Sequence, residues 1–554
     1  MKKNKSALFL LSSLSAALLL ASCGTETATE IRKTAETLND EKVTIHILHQ
    51  EDYMDESLLD EFMEEYPNVK VVFETTDTNE TLYNELRTGK ADYNLVTVSE
   101  YMVQRLASEG LIQKINFPTD LTEDGKSVYS KAVSRYLSNP DAQTDEEKGV
   151  IDKIRVLKKK TNRDDPDEDI GALSEYTMGY MWGTLGTVVN PYFKTYVEKG
   201  MSDKVVSDLR GIEGWSTFWN PEYKGTHSIK ESMRDTYALG IFEVFKDKFL
   251  DPSLDYDYKN KVLFNDHSKG TIQKVKDILI DLKSNIFGFE VDSGKNDIVT
   301  GKIGMNLAWS GDAAFSILKG QYYPGPDEDY TEEKPDDKKT ILYYNIPKIG
   351  ANIWFDGVCI PSSTDPNSLE YKYTCAFIDF ISRPENAVKN MSTTGFTSFI
   401  AGEDVTEGNA IADFVRETFD FYTINDLLVE EGEEPMEVPE GLIDYDISYF
   451  FNGIERGVEG KEMVMHVTPE SYEGRLLVAQ YPEESDIDHL YVMEDYGEDN
   501  GKIVQMWEDI KVNPLPIWVV VALISFVVIS LAYLGSYKII KAYRVKKRKS
   551  LRYK

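Results

Sequence analysis

Cysteine and histidine are scarce in this chain of 554 residues, which has three cysteines and six histidines. So few cysteines exclude a disulfide-rich scaffold. The histidines have no metal-ligand spacing, and the H-E-x-x-H, G-x-S-x-G and phosphate-loop motifs are missing. We therefore expect no metal, no cofactor and no enzyme. Paired acids alone would permit glycoside chemistry, but nothing else in the sequence supports that reading.

Basic residues are also in deficit, with 61 Lys and Arg against 95 Asp and Glu. The ratio falls to 49 against 95 when the two basic terminal segments discussed next are set aside. Nucleic-acid binding needs a basic face, so this class is excluded. An acidic surface attracts cationic ligands at long range. Acidity also serves solubility, so the charge alone identifies no ligand.

The N-terminus has the pattern of a bacterial export signal. Three lysines precede the uncharged run Ala7–Leu20, which is too short to span a bilayer, and small residues then precede Cys23. This pattern predicts a lipoprotein signal peptide at 1–22, a lipid on Cys23 and a polar linker at 23–42. The alternative is an ordinary signal with an incidental cysteine, which would also export the protein.

A second membrane anchor is predicted near the C-terminus. Ile517–Tyr537 contains 21 residues without charge, and at about 1.5 Å per residue it is long enough to cross a bilayer. The tail 538–554 is basic and has no acid. The positive-inside rule places this tail in the cytoplasm and the preceding chain outside it, on the extracytoplasmic face of the cell membrane. A buried core helix is the alternative for the apolar run.

Strand-like and helix-like segments alternate after residue 42, which is typical of an α/β fold with a parallel sheet. The predicted strands are Val43–Leu48, Asn68–Phe73 and Tyr93–Val98, and the predicted helices are Glu56–Tyr66, Glu80–Thr88 and Val103–Glu109. A second αβ pattern runs from about Tyr180 to Tyr344. Ligands of such sheets bind at the carboxyl ends of strands, which here are the segments 50–53 and 99–101.

Polar, weakly periodic segments interrupt this pattern at 119–175 and 430–439. The acidic run Asp164–Asp169 lacks the glycine and glutamate positions of a calcium loop, so we interpret it as a solvated loop. Cys359 and Cys375 lie in apolar segments. Two buried thiols are the default interpretation, and the sequence leaves a disulfide open.

Four separated segments together resemble the spermidine/putrescine-binding proteins of polyamine ABC importers, over roughly residues 43–511. The segments are Asn79-Glu80-Thr81-Leu82-Tyr83 with Thr88-Gly89-Lys90, Trp215 to Gly225, Trp309-Ser310-Gly311-Asp312-Ala313 and Ile353 to Pro361. Each motif alone is weak, whereas the four in this order are specific for the family.

The resemblance implies a two-lobed α/β fold of the type II periplasmic-binding-protein class, with the ligand held between the lobes. It implies a first lobe at 43–187 and 357–402, with 119–175 inserted, and a second lobe at 188–356 and 403–512. The chain would cross between the lobes near Gly183–Asn190 and Trp354–Ile360. It also implies putrescine or spermidine as ligand and the permease subunits of an ABC importer as partners.

A polyamine needs carboxylates for its ammonium groups and aromatic faces for its chain. By the resemblance, Trp309 and Trp354 would be ring walls and Asp312 and Asp356 would pair with ammonium groups. The resemblance also implies ligand contacts for Asp52, Ser99, Tyr101 and Asp235, which match the family's positions, and Glu51 is an added acid beside them. The Trp309-x-Gly311-Asp312 pattern resembles the putrescine-preferring branch.

Several alternatives stay open. Trp215 and Trp219 are expected to be core residues, and Trp309 and Trp354 have that alternative too. Asp235 has the alternatives of pairing with Arg234 or capping a helix, and Glu51 that of a solvated loop acid.

The chain also departs from the family pattern, with Gln50 in place of a common Trp, Ser232 in place of an Asp and Phe396 in place of a Tyr. These departures leave open another organic cation or a metal chelate as ligand. A tethered sensor is a further alternative.

Overall fold

The computed structural model describes residues 41–115 except 77, 90 and 91, then 122–123, 126–127, 173–324, 330–335, 338–401, 404–428, 437–451, 453–511 and isolated positions between 525 and 544. The predicted signal peptide, Cys23, most of the linker and of the 119–175 insertion, the Asp164–Asp169 run, and nearly all of Ile517–Tyr537 and the basic tail lie outside these residues. Within the described ranges, no helix has the length and apolarity needed to cross a membrane. The chain forms two compact units, Met1–Ile503 and Val504–Lys554.

The strands are β1 Val43–Gln50, β2 Val69–Thr76, β3 Leu95–Ser99, β4 Ile112–Gln113, β5 Thr122–Glu123, β6 Lys126–Ser127, β7 Thr177–Val189, β8 His227–Lys230, β9 Gly288–Glu290, β10 Met305–Trp309, β11 Tyr322–Pro324, β12 Tyr330–Glu333, β13 Tyr343–Asn345, β14 Ala351–Pro361, β15 Thr397–Ser398, β16 Ile443–Asp446, β17 Val464–Val467 and β18 Leu490–Tyr491.

The helices are α1 Ser57–Glu65, α2 Asn79–Thr88, α3 Glu100–Ser108, α4 Lys194–Lys199, α5 Ser202–Arg210, α6 Met233–Val244, α7 Lys246–Phe249, α8 Tyr256–Tyr258, α9 Lys269–Lys283, α10 Gly294–Val299, α11 Ser310–Gln321, α12 Leu369–Ile381, α13 Pro384–Thr394, α14 Ala410–Phe419, α15 Phe421–Leu428, α16 Pro469–Gly474, α17 Leu476–Gln480, α18 Glu484–Ile487 and α19 Asn500–Lys511. A π-helical segment, Lys259–Phe264, follows α8.

Twelve of the described strands join in one sheet whose main path is β2-β1-β3-β14-β7-β10-β8-β9. We call β2-β1-β3 with β14 the first half-sheet and β10-β8-β9 the second half-sheet. The predicted parallel pairing is found for β1 with β2 and β3, and for β8 with β9 and β10. Strands β7 and β14, for which the sequence predicts no direction, run antiparallel to each other and to their neighbours β10 and β3.

The long strands β7 and β14 join the two half-sheets. Residues 177–184 of β7 pair with β14, and Leu185–Val189 pair with β10. Every residue of β7 except Gly179 is buried, as is every residue of β14 except Asp356. Strands covered on both faces need such continuous apolar or small residues. Asp356 is therefore the exception that a purely structural strand would lack.

Local chemistry explains the helix ends that the sequence predicts well. The Thr78 side chain accepts a hydrogen bond from the Thr81 backbone N–H, 3.2 Å away, at the start of α2. Gly89 ends that helix with φ +60°, a conformation that suits glycine. Helix α3 begins at Glu100, three residues before the predicted start. Its first turn contains a buried glutamate, which hydrophobic periodicity does not reveal.

The core prediction for the tryptophan-rich segment is confirmed for Trp215, which is buried and donates to the Gly350 carbonyl over 2.8 Å. Trp219 is half-buried and donates to the Ile278 carbonyl. Cys359 and Cys375 are both buried and are not joined in a disulfide. Their default interpretation as buried thiols is therefore confirmed.

Candidate functional site

The carboxyl ends of strands from both half-sheets supply the candidate site. In the first half-sheet β3 ends at Ser99, and in the second β8 ends at Lys230 and β10 at Trp309. Strand β14 runs antiparallel to β3 and places Asp356 directly opposite Ser99. The fold therefore gathers the candidate side chains at one edge, as expected for an α/β sheet.

Asp356 lies at an irregularity of the sheet. The β14–β7 register shifts between Asp356 and Gly357, which leaves one extra residue, Tyr180, on β7. Such bulges change the direction of a side chain and often lie beside functional sites. The Oδ1 atom of Asp356 is buried and makes no hydrogen bond to the described residues. Burial raises the pKa of Asp356 to about 6, with a further upward influence from Asp235, against the lowering effect of the Ser99 and Tyr53 hydroxyls.

Glu100 is a buried acid beside the half-buried Asp356, and it is missing from the residues predicted by sequence. It is 1% exposed, its Oε2 accepts the Phe355 backbone N–H over 3.3 Å, and its Oε1 has no hydrogen-bond partner among the described residues. Burial, followed by the charge of Asp356, raises the pKa of Glu100 well above its usual value. The signal that would have found it is its place within the strand end 99–101.

Aromatic rings stand around this pair of acids. Trp354 is buried and lies edge-on to Phe396, with ring centroids 5.6 Å apart, and Phe396 lies edge-on to Tyr53 at 5.0 Å. The Trp354 Nε1 is buried and has no hydrogen-bond partner among the described residues, and the buried Tyr53 hydroxyl lies close enough to Asp356 to lower the pKa of that carboxyl. Tyr53 is the ring contributed by the strand end 50–53. Sequence reasoning placed Trp354 here but assigned no contact to Tyr53 or Phe396.

Asp235 lies in the first turn of α6, the helix that follows β8 of the second half-sheet. The Trp309 indole N–H donates to Oδ2 of Asp235 over 3.2 Å, and the Asp235 backbone N–H donates to Ser232 Oγ. Burial raises the pKa of Asp235. Ser232 is thus the helix cap, so the cap alternative for Asp235 is wrong. The structure places Asp235 and Trp309 together.

Asp312 already faces a cation from the protein itself. The Lys230 Nζ lies 2.7 Å from Oδ2 of Asp312 and 3.3 Å from Oε1 of Glu290. The same Nζ lies 4.3 Å from the centroid of the Trp309 ring. Neither Lys230 nor Glu290 was singled out in the sequence, because an isolated lysine at a strand end has no recognisable motif.

A second internal cation, Arg234, contacts Tyr101. The guanidinium lies 4.5 Å from the Tyr101 ring centroid and 3.7 Å from that of Tyr496, and its Nη2 donates to the Glu494 carbonyl. The Tyr101 hydroxyl donates to Glu80 over 3.3 Å. Tyr101 of α3 is therefore in contact with Arg234 of α6, so a protein cation already lies on the face of its ring.

The remaining predicted residues lie at the margin. Glu51 and Asp52 are exposed in the turn after β1, and Asp52 has φ +50°. The Gln50 side chain donates to the Thr97 carbonyl and so bonds within its own half-sheet. The structure thus brings together Ser99, Asp235, Trp309, Trp354 and Asp356. Asp312 and Tyr101 each contact a cationic side chain of the protein itself.

The chain is similar to known solute-binding proteins. The family model for bacterial extracellular solute-binding proteins matches residues 57–412. The spermidine/putrescine-binding periplasmic protein of Escherichia coli strain K12 is 24% identical over 359 residues, which cover 64% of this chain and 78% of that protein. The putrescine-binding periplasmic protein of Pseudomonas aeruginosa is 23% identical over 351 residues, covering 62% of this chain and 75% of that protein.

A solved structure from Listeria monocytogenes, titled as a spermidine/putrescine ABC transporter, shares the fold. Its TM-score is 0.50 at 19% identity, and the match covers 84% of this chain and 98% of that one. At this identity the likeness supports the mixed α/β binding-protein fold and carries no information about the ligand.

Proposed function

The chain belongs to the family of bacterial extracellular solute-binding proteins, and on that premise we propose that it captures putrescine or spermidine and delivers it to an ABC importer. Putrescine is named as a ligand of both relatives described above, and spermidine of the first. The capture step is binding alone, and no bond of the ligand is made or broken. The permease subunits of the importer are the proposed partners.

The observation that carries this proposal is a group of three acids with raised pKa values, the half-buried Asp356 and the buried Glu100 and Asp235. Buried acids disfavour their charged forms unless a cation compensates them. A diamine supplies two ammonium groups on a methylene chain. The rings of Trp354, Tyr53 and others provide apolar contact for the methylenes, and aromatic faces attract ammonium groups by about 0.5–2 kcal/mol each.

We further propose that the half-sheets are the sheets of two lobes that close over the ligand. The lobes are 43–187 with 357–402, and 188–356 with 403–512, as the family resemblance implies. The change of partner along β7 at Leu185 supports a crossing near that residue. Closure about such crossings is the common motion of two-lobed binding proteins.

A double tether to the membrane completes the proposal, with a lipid on Cys23 and a spanning helix at Ile517–Tyr537. One acyl chain alone holds a protein weakly, whereas a spanning helix is effectively permanent. Cell fractionation of Cys23→Ser, of a chain ending at 516 and of their combination tests this. Each single change should leave the protein in the membrane, and the combination should release it. If one of the single changes alone releases the protein, the anchor left intact does not hold it, and the proposal of that anchor would be wrong.

Calorimetric titration of the full-length protein in detergent with putrescine and then spermidine tests the function. We expect one-to-one binding, abolished or strongly weakened in Asp356→Asn. Saturable binding of neither polyamine would overturn the proposed ligand.

Another small organic cation is the second candidate ligand. Gln50 replaces an aromatic wall and bonds to Thr97, and two protein cations already lie at the site. These features favour a ligand with few ammonium groups. A competition panel of monoamines and quaternary amines, in which these displace bound ligand and polyamines do not, would favour this candidate.

A further inference from the structure

Lys230 is the most deeply buried cation at the candidate site. It ends β8, its exposed fraction is 0%, and its Nζ donates to Oδ2 of Asp312 over 2.7 Å and to the Val291 carbonyl over 3.0 Å. Oε1 of Glu290, its direct partner in β9, lies 3.3 Å away. Burial alone would lower the pKa of Lys230, but Asp312 and Glu290 outweigh it and raise that pKa, so the ammonium stays charged.

The surroundings of this ammonium are those that an ammonium of a polyamine requires. They consist of two carboxylates, a carbonyl and the face of an indole ring, since Nζ is 4.3 Å from the Trp309 centroid. A cation out of water needs this combination of acceptors and aromatic face. Trp309 and Asp312 are also the two residues that the sequence motif assigned to the ligand.

The acids on the opposite side of the site, Asp356 and Glu100, differ from Asp312 in their hydrogen-bond partners. Oδ1 of Asp356 and Oε1 of Glu100 are buried without a hydrogen-bond partner among the described residues. A ligand ammonium therefore gains most by approaching these two acids, and a second gains from Asp235. A third ammonium extending toward Asp312 would meet the positive charge of Lys230.

We propose that Lys230 is a specificity-determining residue, an internal ammonium that occupies the Asp312–Trp309 position and so selects a diamine over a triamine. This inference rests on the proposed polyamine-binding function and deepens it. The same Lys230 in a purely structural ion pair would leave the ligand preference unchanged, which makes the two roles separable.

The test compares putrescine and spermidine binding by calorimetry in the full-length protein and three variants. In Lys230→Met, Asp312 loses its hydrogen-bonded cation while the more distant Lys295 remains, and we expect the ratio of spermidine to putrescine affinity to rise by about tenfold or more. In Lys230→Met with Asp312→Asn, that ratio should return to the parent value. Lys246→Met is the matched control, because Lys246 also pairs with two glutamates, Glu213 and Glu243, away from the site. A ratio within about twofold of the parent in folded Lys230→Met would overturn the inference.

The double variant keeps the inference testable if Lys230→Met does not fold. Replacing both charges of a buried pair is tolerated better than removing one. The double variant should lose less putrescine affinity than Asp356→Asn does, because in the proposed site Lys230 and not the ligand pairs with Asp312. A loss equal to that of Asp356→Asn would overturn the role of Lys230. If the parent and all variants bind neither polyamine, the proposed function falls and this inference falls with it. If the parent binds a polyamine but Lys230→Met has the same ratio of spermidine to putrescine affinity, the inference alone is overturned.

Discussion

At Asp356 the physical demands of folding conflict with those of the proposed ligand binding. The side chain interrupts an otherwise buried strand, and its Oδ1 has no hydrogen-bond partner among the described residues. Burying a carboxylate in this way destabilises the ligand-free protein unless a proton or a cation compensates it. The proposed binding of an ammonium group would explain why an acid occupies this position.

Replacing Asp356 by Asn tests this role. The amide has nearly the same shape but no charge, so a bound ammonium would lose its anionic partner. We expect the ligand affinity to fall by about 2–5 kcal/mol, as measured by calorimetry, with little loss of folded protein. Asp444→Asn is the control, since that side chain is 76% exposed. An affinity in Asp356→Asn equal to that of the control would place the site elsewhere.

Single residues also show where sequence reasoning ended. Asp356 was predictable because a carboxylate in an apolar strand is unusual. Lys230 and Glu100 were not, because their meaning depends on partners far away in the chain. Asp312 is 82 residues from Lys230, and Phe355 is 255 residues from Glu100.

The crossing strand β7 packs against the site through glycine. A Cβ atom on Gly183 would lie 2.3 Å from Ser310 Oγ and 2.7 Å from an atom of the Trp354 ring. The close approach of β7, α11 and β14 therefore requires a residue without a side chain here.

Gly183→Ala should destabilise the protein by about 1–3 kcal/mol, because the strand, Ser310 and Trp354 must move apart. Denaturant unfolding measures this change, and ligand titration should show weaker binding through the displaced Trp354. The matched control is Gly270→Ala in α9, where a Cβ meets nothing within 4 Å. That control should be neutral or stabilising by up to about 1 kcal/mol. Equal effects of the two substitutions would contradict the close approach.

The helices and strands themselves were largely predictable before residue 115. Predicted and observed bounds of α1, α2, β1 and β2 agree or differ by at most three residues at each end. Caps and periodicity are local, so they can be read from neighbouring residues. The antiparallel direction of β7 and β14 was missed because periodicity contains no information about the direction of a distant partner.

The pH response of the protein should differ in sign between binding and folding. Asp356 must be ionised to hold an ammonium group, so lowering the pH through about 6 weakens binding. Between pH 7.5 and 5 this residue alone should reduce the affinity by about tenfold. The raised pKa values of Glu100 and Asp235 act in the same direction. Calorimetry across this range is the measurement, and Asp356→Asn should have a flatter profile. A flat profile in the parent would contradict the role of these acids.

Folding of the ligand-free protein should respond oppositely through this residue. The folded pKa of Asp356, about 6, lies above the reference value of 3.8, so the folded state holds this proton more tightly. Its favourable contribution is fully present below the unfolded pKa and is lost as the pH rises through about 6. Denaturant unfolding of the parent and of Asp356→Asn at pH 5 and pH 7.5 measures it. The parent should gain stability relative to the variant at pH 5, and no relative gain would contradict the burial of this acid.

Salt separates binding in an enclosed site from binding to the acidic surface as a whole. The chain has a formal net charge of −34, which attracts any cation at long range. Pairs held between closed lobes are screened much less than exposed pairs. We expect the affinity for putrescine to fall only modestly between about 0.05 and 0.5 M salt. A steep fall would indicate diffuse surface attraction instead.

The sequence by itself determined the α/β class, the order of most strands and helices before residue 115, and the strand ends at which the candidate ligand residues lie. It also contained the four motifs of the binding-protein family. These properties depend on neighbouring residues or on short patterns, so they are legible along the chain. Only the tertiary structure decided that Glu100 lies beside Asp356, that Lys230 pairs with Asp312 and that β7 and β14 are antiparallel. Residues far apart in the chain become partners through packing, and packing depends on the whole set of contacts rather than on any local pattern.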